Sequence, residues 1–479
     1  MHWIERLVMC VVAVALTLTS LVHKLSCTTA VTNPDGTSES TVTRITRWGC
    51  SSDTVGLFAN RHLAEHLFPY VSGSYTSDPP AVHGGTLEYP TLTGLWVWLS
   101  ALPVSSVHGF MIVTALTFVP VVVVITLGLQ RLAGRRAWIW AATPPLLLYA
   151  LYNWDVLPVL MTVLGLLTAC NGSRRWSPTT AAVLAGAAFG IGGAFKLYPI
   201  MFVVPLALAY LLDRGVIPRA IRWVRASAAV GTAVAALLAA NVPFMLINFD
   251  GWASVFRFQA ARSIDSTTLS VWYWGTLPWS NTAGPRFQHL LGLAATSATA
   301  VTIIVTLVVG VIIARRTGRM PWVQTSAAML CMYMLCNKVD SLQYVLWLLP
   351  FFAVLRIRLG WVVAYLVADL AAFVGWFRWN FYTSIGNLEA TWAQQALAVG
   401  VWGRAGLLIA LWFAFFAAPV ASATSMPAPT RDPEEDTAAG RRLASASDDQ
   451  DERHDENAVS VGHALQQSQP PGGSVSMES

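Results

Sequence analysis

Long apolar runs, repeated along the chain from residue 6 to residue 420, are the feature that most limits how this sequence can fold. A helix needs about 20 apolar residues to cross the hydrocarbon layer of a membrane. Runs near that length lie at residues 6–23, 107–130, 136–152, 154–170, 178–195, 197–212, 226–247, 288–314, 322–338, 343–356, 359–378 and 396–420. Charged residues are only 11% of the chain, whereas soluble domains carry about 25%. The sequence therefore predicts an all-α polytopic membrane protein with about 12 transmembrane helices.

This pattern divides the chain into four predicted segments. Residues 1–23 form a first transmembrane helix, 24–90 a large outer loop with interfacial helices, 91–420 a multi-helix transmembrane core, and 421–479 a disordered cytoplasmic tail. The tail lacks periodic apolar residues and is rich in Pro, Ser and acidic residues, which is typical of disorder. The first run lacks a good small-residue cleavage site, so we expect an uncleaved helix and not a signal peptide.

Clusters of arginine between the runs predict the orientation. Cytoplasmic loops are enriched in Lys and Arg, so the clusters within 131–136 and 315–319 are expected inside. Both termini are then cytoplasmic, and the loop 24–90 lies on the outer face of the plasma membrane. Residues 91–130 must make one net crossing, so 91–104 is expected to be a re-entrant or interfacial helix, with an additional crossing as the alternative. The net charge of +5 belongs to these cytoplasmic loops and does not indicate nucleic-acid binding.

Two acids in the outer loop are the candidate catalytic residues. Asp53 precedes a rough apolar stripe that predicts a helix over about 53–68. Asp53 would be its N-cap, where a carboxylate accepts backbone N–H bonds, so simple capping is the alternative to a catalytic role. Glu88 lies at the other end of the loop beside Tyr89 and is a rival or supporting acid.

The same loop contains two patterns with a known chemistry. His62-Leu63-Ala64-Glu65-His66 matches the H-x-x-E-H zinc-peptidase motif, in which two His share one helix face. The match is short and has no partner helix, so chance is the stronger interpretation and we expect no metal site. Cys27 and Cys50 also lie in the loop, and an oxidising outer face permits a disulfide between them.

Polar residues near the outer ends of the apolar runs are the candidate binding groups. An ionisable group at membrane depth is costly unless it is paired or functional. Asp155 and Lys196 each lie between two apolar runs on the outer side, which would let them meet. Lys196 suits a phosphate, although a lysine snorkelling to the interface is the alternative. The other candidates on this predicted side are Tyr89, Tyr198, Arg257, Arg262, Lys338 and Gln343.

Several short motifs, taken in order, resemble the landmarks of glycosyltransferase family 87, actinobacterial membrane enzymes of the GT-C class that use polyprenyl-phosphate mannose. The motifs are Cys50-Ser51-Ser52-Asp53, Glu88 to Gly94, Asn153-Trp154-Asp155, Lys196 to Pro199, Arg262, Asn337-Lys338, and Gln343 to Trp347. The resemblance spans roughly residues 45–350. Asp340 and Leu342 stand where the family pattern has a Trp and a Pro, a departure that is expected to loosen the local turn.

The resemblance implies a GT-C arrangement of the helices and an inverting transfer of mannose. The donor would be a polyprenyl-phosphate sugar, and the acceptor a hydroxyl of a cell-envelope glycan or glycolipid. It assigns the general base to Asp53. The leaving phosphate needs cations, here Lys196, Arg262 and Lys338, so no cofactor is required and a divalent cation is optional. Asp155 is expected to hold Lys196 or a sugar hydroxyl. The alternative is a translocase of lipid-linked sugars without transferase activity.

Overall fold

The computed structural model describes residues 2–28, 39–78, 80–171, 176–213, 217–277, 279–387 and 389–421. The predicted disordered tail, 421–479, lies outside these residues except for Ala421. The helices, in chain order, are α1 (His2–Leu25), α2 (Thr41–Trp48), α3 (Asp53–Asn60), α4 (Thr91–Ala101), α5 (Val107–Ala133), α6 (Trp138–Ala141), α7 (Pro144–Tyr149), α8 (Val156–Asn171), α9 (Pro178–Phe195), α10 (Val203–Leu212), α11 (Arg219–Ile247), α12 (Phe249–Ala261), α13 (Val271–Trp274), α14 (Trp279–Thr282), α15 (Pro285–Thr317), α16 (Trp322–Cys336), α17 (Val345–Val354), α18 (Leu359–Ser384) and α19 (Thr391–Ala417). Strands β1 (Ser74–Ser77) and β2 (Pro80–His83) form an antiparallel hairpin.

Seven helical stretches within the described residues are long and apolar enough to cross a membrane. They are Trp3–Leu25, Val107–Ala141, Pro178–Phe195, Arg219–Ile247, Pro285–Thr317, Leu359–Ser384 and Thr391–Ala417. Shorter apolar helical stretches lie between them in the chain, at Val156–Cys170, Tyr198–Leu212, Trp322–Cys336 and Leu342–Val354. The chain is therefore a helical, multi-pass membrane protein, while the number of about 12 crossings stays a prediction.

The apolar run 136–152 does not form one helix, contrary to the prediction. α6 ends at Ala141, Thr143 is extended, and Pro144 begins the separate helix α7. Proline has no backbone N–H to donate within a helix, and it disfavours helical backbone in the residue before it. α6 instead completes the stretch Val107–Ala141.

Helix α4 lies where the polar segment, residues 39–78 and 80–90 of the predicted outer loop, meets the helical core. Its 11 residues extend for about 16 Å at 1.5 Å per residue, roughly half of a hydrocarbon layer about 30 Å thick. Thr93 Oγ1 in its first turn donates to the carbonyl of Phe195 at 2.7 Å, which ties α4 to the end of α9. The short length agrees with the re-entrant or interfacial helix expected at 91–104 and does not support an additional crossing.

The end of α1 holds the polar segment in place. Cys27 forms a disulfide with Cys50, as the sequence permitted. Lys24 is fully buried, and its Nζ donates to the carbonyl of Gly49 at 3.2 Å. The same ammonium lies 5.3 Å from the ring centroid of Tyr152. These contacts join the segment before α3 to both α1 and the turn before α8.

Small residues allow α9 and α11 to approach closely. A Cβ atom on Gly186 would lie 2.1 Å from the carbonyl oxygen of Ala229, and one on Gly190 would lie 2.3 Å from that of Ala233. Membrane helices pack most closely where such small residues face each other. This crossing fixes the end of α9 and therefore the position of Lys196, which follows it directly.

Arginines gather at the opposite end of α1. Arg135 pairs with Glu5, near the start of α1, at 3.0 Å. Arg136 donates to four carbonyls at and beyond the C-terminal end of α17, at 2.8–3.3 Å. Such carbonyls have no partner within the helix itself. The arginine-rich end and the polar segment thus lie at opposite ends of α1, which agrees with the charge pattern of the sequence.

Arg404 lies deep in the core, 1% exposed, between two buried carboxylates. Its Nη2 donates to Asp340 Oδ1 at 3.1 Å, and its Nε lies 3.8 Å from Asp369 Oδ1. The hydroxyl of Tyr149 donates to Asp369 Oδ2 at 2.9 Å. No sequence pattern indicates this cluster, because Asp369 and Arg404 each lie singly within an apolar run. The carboxylate of Asp340 is anchored by Arg404, a contact that works against the looser turn expected there.

Replacing Arg404 by Met should lower the free energy of unfolding by about 3–5 kcal/mol, because two buried carboxylates lose their counter-charge. Chemical denaturation in detergent micelles measures the loss, with Arg358→Met, at an exposed arginine, as the control. A triple variant with Arg404→Met, Asp340→Asn and Asp369→Asn removes all three charges and should recover most of the stability. Equal stabilities of Arg404→Met and Arg358→Met would contradict the prediction.

Candidate functional site

Asp53 is the first residue of α3 and not its N-cap, which corrects the prediction. Ser52 caps the helix, because its Oγ accepts a hydrogen bond from the Thr54 amide at 3.2 Å. The same hydroxyl donates to the carbonyl of Leu151 at 2.6 Å, and the Asp53 amide donates to that of Tyr152 at 2.9 Å. Because Ser52 caps the helix, the side chain of Asp53 is available for other contacts.

The Asp53 carboxylate is held by two neutral donors. Tyr89 donates its hydroxyl to Oδ2 at 2.5 Å, and Asn153 donates its amide N–H to the same oxygen at 2.8 Å. Asn153 Nδ2 also lies 2.8 Å from the hydroxyl of Tyr89. The Tyr89 ring packs edge to face against Trp154, with ring centroids 5.3 Å apart. Asp53 as a whole residue is partly exposed, and the direction of its carboxylate is set by these two donors.

Burial raises the pKa of Asp53 above its ordinary value. The hydrogen bond from Tyr89 and the positive charges of Lys196 and Arg262 oppose this rise without cancelling it. Burial also raises the pKa of Tyr89 well above its usual value, and the Asp53 charge adds to the effect. Tyr89 therefore keeps its proton and acts as the donor, while Asp53 is the group that can accept a proton.

Asp155 and Lys196 form an ion pair at 2.6 Å, which confirms that these two residues meet. Asp155 is fully buried just before α8, and its Oδ1 also accepts from Trp347 Nε1 at 2.8 Å. The Lys196 ammonium lies 5.2 Å from the ring centroids of both Tyr344 and Trp347, an arrangement that stabilises a cation. The Lys196 ammonium is therefore held in one position, and the side chain is still 18% exposed.

Arg262 follows α12 and belongs to the same cluster, because its charge acts on both Asp53 and Tyr152. Lys338 donates to the carbonyls of Ala260 and Arg262 at 3.0 and 3.3 Å. Burial, with a contribution from Arg262, lowers the pKa of Lys338. The described contacts of Lys338 thus hold the end of α12 and position Arg262.

Glu88 is occupied by a counter-ion. Its Oε1 pairs with Arg61, and both side chains are largely buried. The backbone carbonyl of Glu88 accepts from Gln259 on α12 at 2.8 Å. Among the described contacts, none joins Glu88 to Asp53. The ion pair leaves Asp53 as the better placed of the two acids.

Three other predicted binding residues make no described contact with Asp53. Tyr198 is buried and stacks on Trp347 at 4.3 Å, so it supports the ring beneath Lys196. Gln343 is buried as well, 3% exposed. Arg257 pairs with Asp250 on the exposed side of α12 at 2.9 Å.

His62 and His66 do not share a helix face. α3 ends at Asn60, which corrects the helix predicted over 53–68, and both His have left-handed backbones with φ of 50° and 55°. No group of three or more His, Cys, Asp or Glu side chains within the described residues could hold a metal ion. The described backbone therefore lacks the single helix face that the zinc-peptidase motif requires.

Three residues of the site were not assigned from the sequence. Asn153 and Trp347 lie within the motifs Asn153-Trp154-Asp155 and Gln343 to Trp347, and their place in those motifs is the signal that could have indicated them. Arg61 lies in no motif, and its pairing with Glu88 across 27 positions carries no local signal.

The family model of glycosyltransferase family 87 matches residues 88–337, slightly more than half of the chain. The matched range contains Tyr89, Asn153, Lys196 and Arg262, whereas Asp53 precedes it. No curated protein matches the chain in sequence. With its multiple apolar helices and this match, the chain belongs to glycosyltransferase family 87 and is a membrane glycosyltransferase.

Proposed function

We propose that this glycosyltransferase moves mannose from polyprenyl-phosphate mannose to a hydroxyl of a cell-envelope glycan or glycolipid, with inversion at the anomeric carbon. The observation that carries the proposal is the Asp53 carboxylate, which is held by two neutral donors and feels the charges of Lys196 and Arg262. Transfer from a lipid phosphate needs a base for the acceptor proton and positive charge for the leaving phosphate. The cluster contains both kinds of group.

In this reaction the acceptor oxygen attacks the anomeric carbon while Asp53 takes its proton. The bond from the anomeric carbon to the phosphate oxygen breaks, and the phosphate keeps the electron pair. Lys196 and Arg262 stabilise the resulting negative charge. An ammonium has three N–H donors, and the described hydrogen bonds of Lys196 use one of them for Asp155. A divalent cation is optional in this scheme because the chain supplies two cations.

We infer that the site faces the outside of the plasma membrane. The arginine-rich end around Arg135 is the end expected in the cytoplasm, and a disulfide such as Cys27–Cys50 persists in an oxidising environment. The end of α19 lies with the arginines, because Arg356 donates its amide N–H to the carbonyl of Pro419 at 2.9 Å. Cytoplasmic termini and about 12 helices in a GT-C arrangement are part of the same proposal.

Asp53→Asn should lower kcat at least about 100-fold, the usual contribution of a general base. The experiment supplies purified protein with radiolabelled polyprenyl-phosphate mannose and a panel of cell-envelope acceptors. Glu88→Gln is the matched control, because it also neutralises a loop acid but leaves the Asp53 carboxylate in place. Glu88→Gln should lower kcat less than Asp53→Asn does. Equal transfer by Asp53→Asn and wild type would remove Asp53 as the base, and donor movement without product would favour a translocase.

The pH dependence of kcat/KM should report the ionisation of Asp53. Only the ionised carboxylate accepts a proton, so activity falls as the pH drops through a pKa that burial holds above the ordinary value of about 3.9. Tyr89→Phe removes a hydrogen bond that lowers this pKa, and the acidic limb should move to higher pH. Tyr75→Phe, in the hairpin, should leave the limb unchanged. An unmoved limb in Tyr89→Phe would contradict the assignment.

Lys338→Met should act through Arg262. Without the ammonium that binds its carbonyl, Arg262 moves away from Asp53, so the acidic limb should rise in the same direction as in Arg262→Gln. Lys338→Arg retains donors for those carbonyls and should restore most of the effect. A raised KM for the donor with an unmoved limb would show instead that Lys338 binds the substrate directly.

A further inference from the structure

An apolar groove of about 720 Å³ runs along the surface of the bundle between α1 and α5. Leu7, Val11 and Val14 line it from α1, and Val123 and Leu127 line it from α5. The only charged lining residue among those described is Arg6. The groove therefore combines an apolar length with a cation at one end.

A second exposed arginine extends the same end. Arg131 follows Leu127 by four positions on α5, so the two share one helix face. Both Arg6 and Arg131 are exposed. The start of α1 and the end of α5 are neighbours, because Arg135 pairs with Glu5 at 3.0 Å. Glu5, the acid nearest to Arg6 in sequence, is therefore already paired with Arg135. The groove thus ends in a region of net positive charge.

The charged end of the groove lies far from the Asp53 cluster. Arg6 and Lys24 are 18 positions apart on α1, which corresponds to about 27 Å and is close to the full hydrocarbon thickness of about 30 Å. Lys24 contacts Gly49 in the polar segment that contains Asp53. The groove therefore has its charged end at the opposite leaflet, where it cannot be the binding site of the sugar donor's phosphate.

We propose that this groove binds a phospholipid with an anionic head group. Its phosphate contacts Arg6 and Arg131, which suit a phosphate through their planar, multiple N–H donors, and its acyl chains lie against the aliphatic walls. The α1 wall from Arg6 to Leu18 is about 18 Å long, close to one leaflet, half of a hydrocarbon layer about 30 Å thick.

A second copy of this chain fits the groove less well. A two-fold dimer in a membrane has its axis along the membrane normal, so the same face of each copy meets the other in the same leaflet. Arg6 and Arg131 of both copies would then approach without a counter-charge, which is unfavourable. An anionic lipid supplies that counter-charge and fills the apolar length.

The test offers delipidated protein an equimolar mixture of phosphatidylglycerol and phosphatidylcholine, and native mass spectrometry counts the bound lipids. Two basic residues, each contributing about a factor of five at a membrane surface, should enrich phosphatidylglycerol about 25-fold. The double variant Arg6→Gln/Arg131→Gln should lose most of this preference. Val14→Trp, which fills the groove, should lower the binding of both lipids.

The matched control is Arg315→Gln/Arg316→Gln, which removes two exposed arginines from the end of α15 and should keep the preference. Unfolding temperatures measured without lipid show that the variants are folded. Equal binding of the two lipids by wild type would overturn the proposal. The same loss in both double variants, or a dimer that breaks up in Val14→Trp, would overturn it as well.

Discussion

One carboxylate oxygen, Oδ2 of Asp53, joins three segments that are distant in sequence. Its donors Tyr89 and Asn153 lie 36 and 100 positions away. Tyr89 precedes α4, and Asn153 lies in the turn that also accepts the backbone of Asp53 and the hydroxyl of Ser52. The proposed base is thus oriented by its own hydrogen bonds and by the backbone around it. Each of these segments meets the core at the same end of the bundle, which is why the cluster forms there.

A second chain of contacts connects the buried core to the cations of the site. Arg404 anchors the carboxylate of Asp340, whose backbone N–H donates to the hydroxyl of Thr268 at 2.8 Å. Two residues earlier, Lys338 binds the carbonyl of Arg262. A charge buried in the membrane core is costly unless it is paired, so the Arg404 cluster leaves this loop little freedom. The position of Arg262 therefore depends on the Arg404–Asp340 ion pair, which lies outside the site.

The sequence predicted those features that depend on local composition or on one strong pairing. Apolar run length indicated the membrane class. The high cost of an unpaired charge, with both residues on the predicted outer side, indicated that Asp155 and Lys196 could meet. Local periodicity failed at the loop, where the stripe after Asp53 continued past Asn60 but the helix did not. Local periodicity also could not show that Ser52 caps α3. The Ser52 hydroxyl is held by its hydrogen bond to the carbonyl of Leu151, which is distant in sequence.

The three acids of the site differ most in the kind of group that binds each carboxylate. Asp155 is fully buried against a lysine and an indole N–H, and Glu88 is paired with Arg61. In both acids, the carboxylate is therefore already engaged by a cation. Asp53 is bound by a phenol and an amide, which fix its direction without a full opposing charge, and burial raises its pKa. A raised pKa makes a carboxylate a stronger base once it is ionised, so its neutral partners suit Asp53 to the proposed proton transfer.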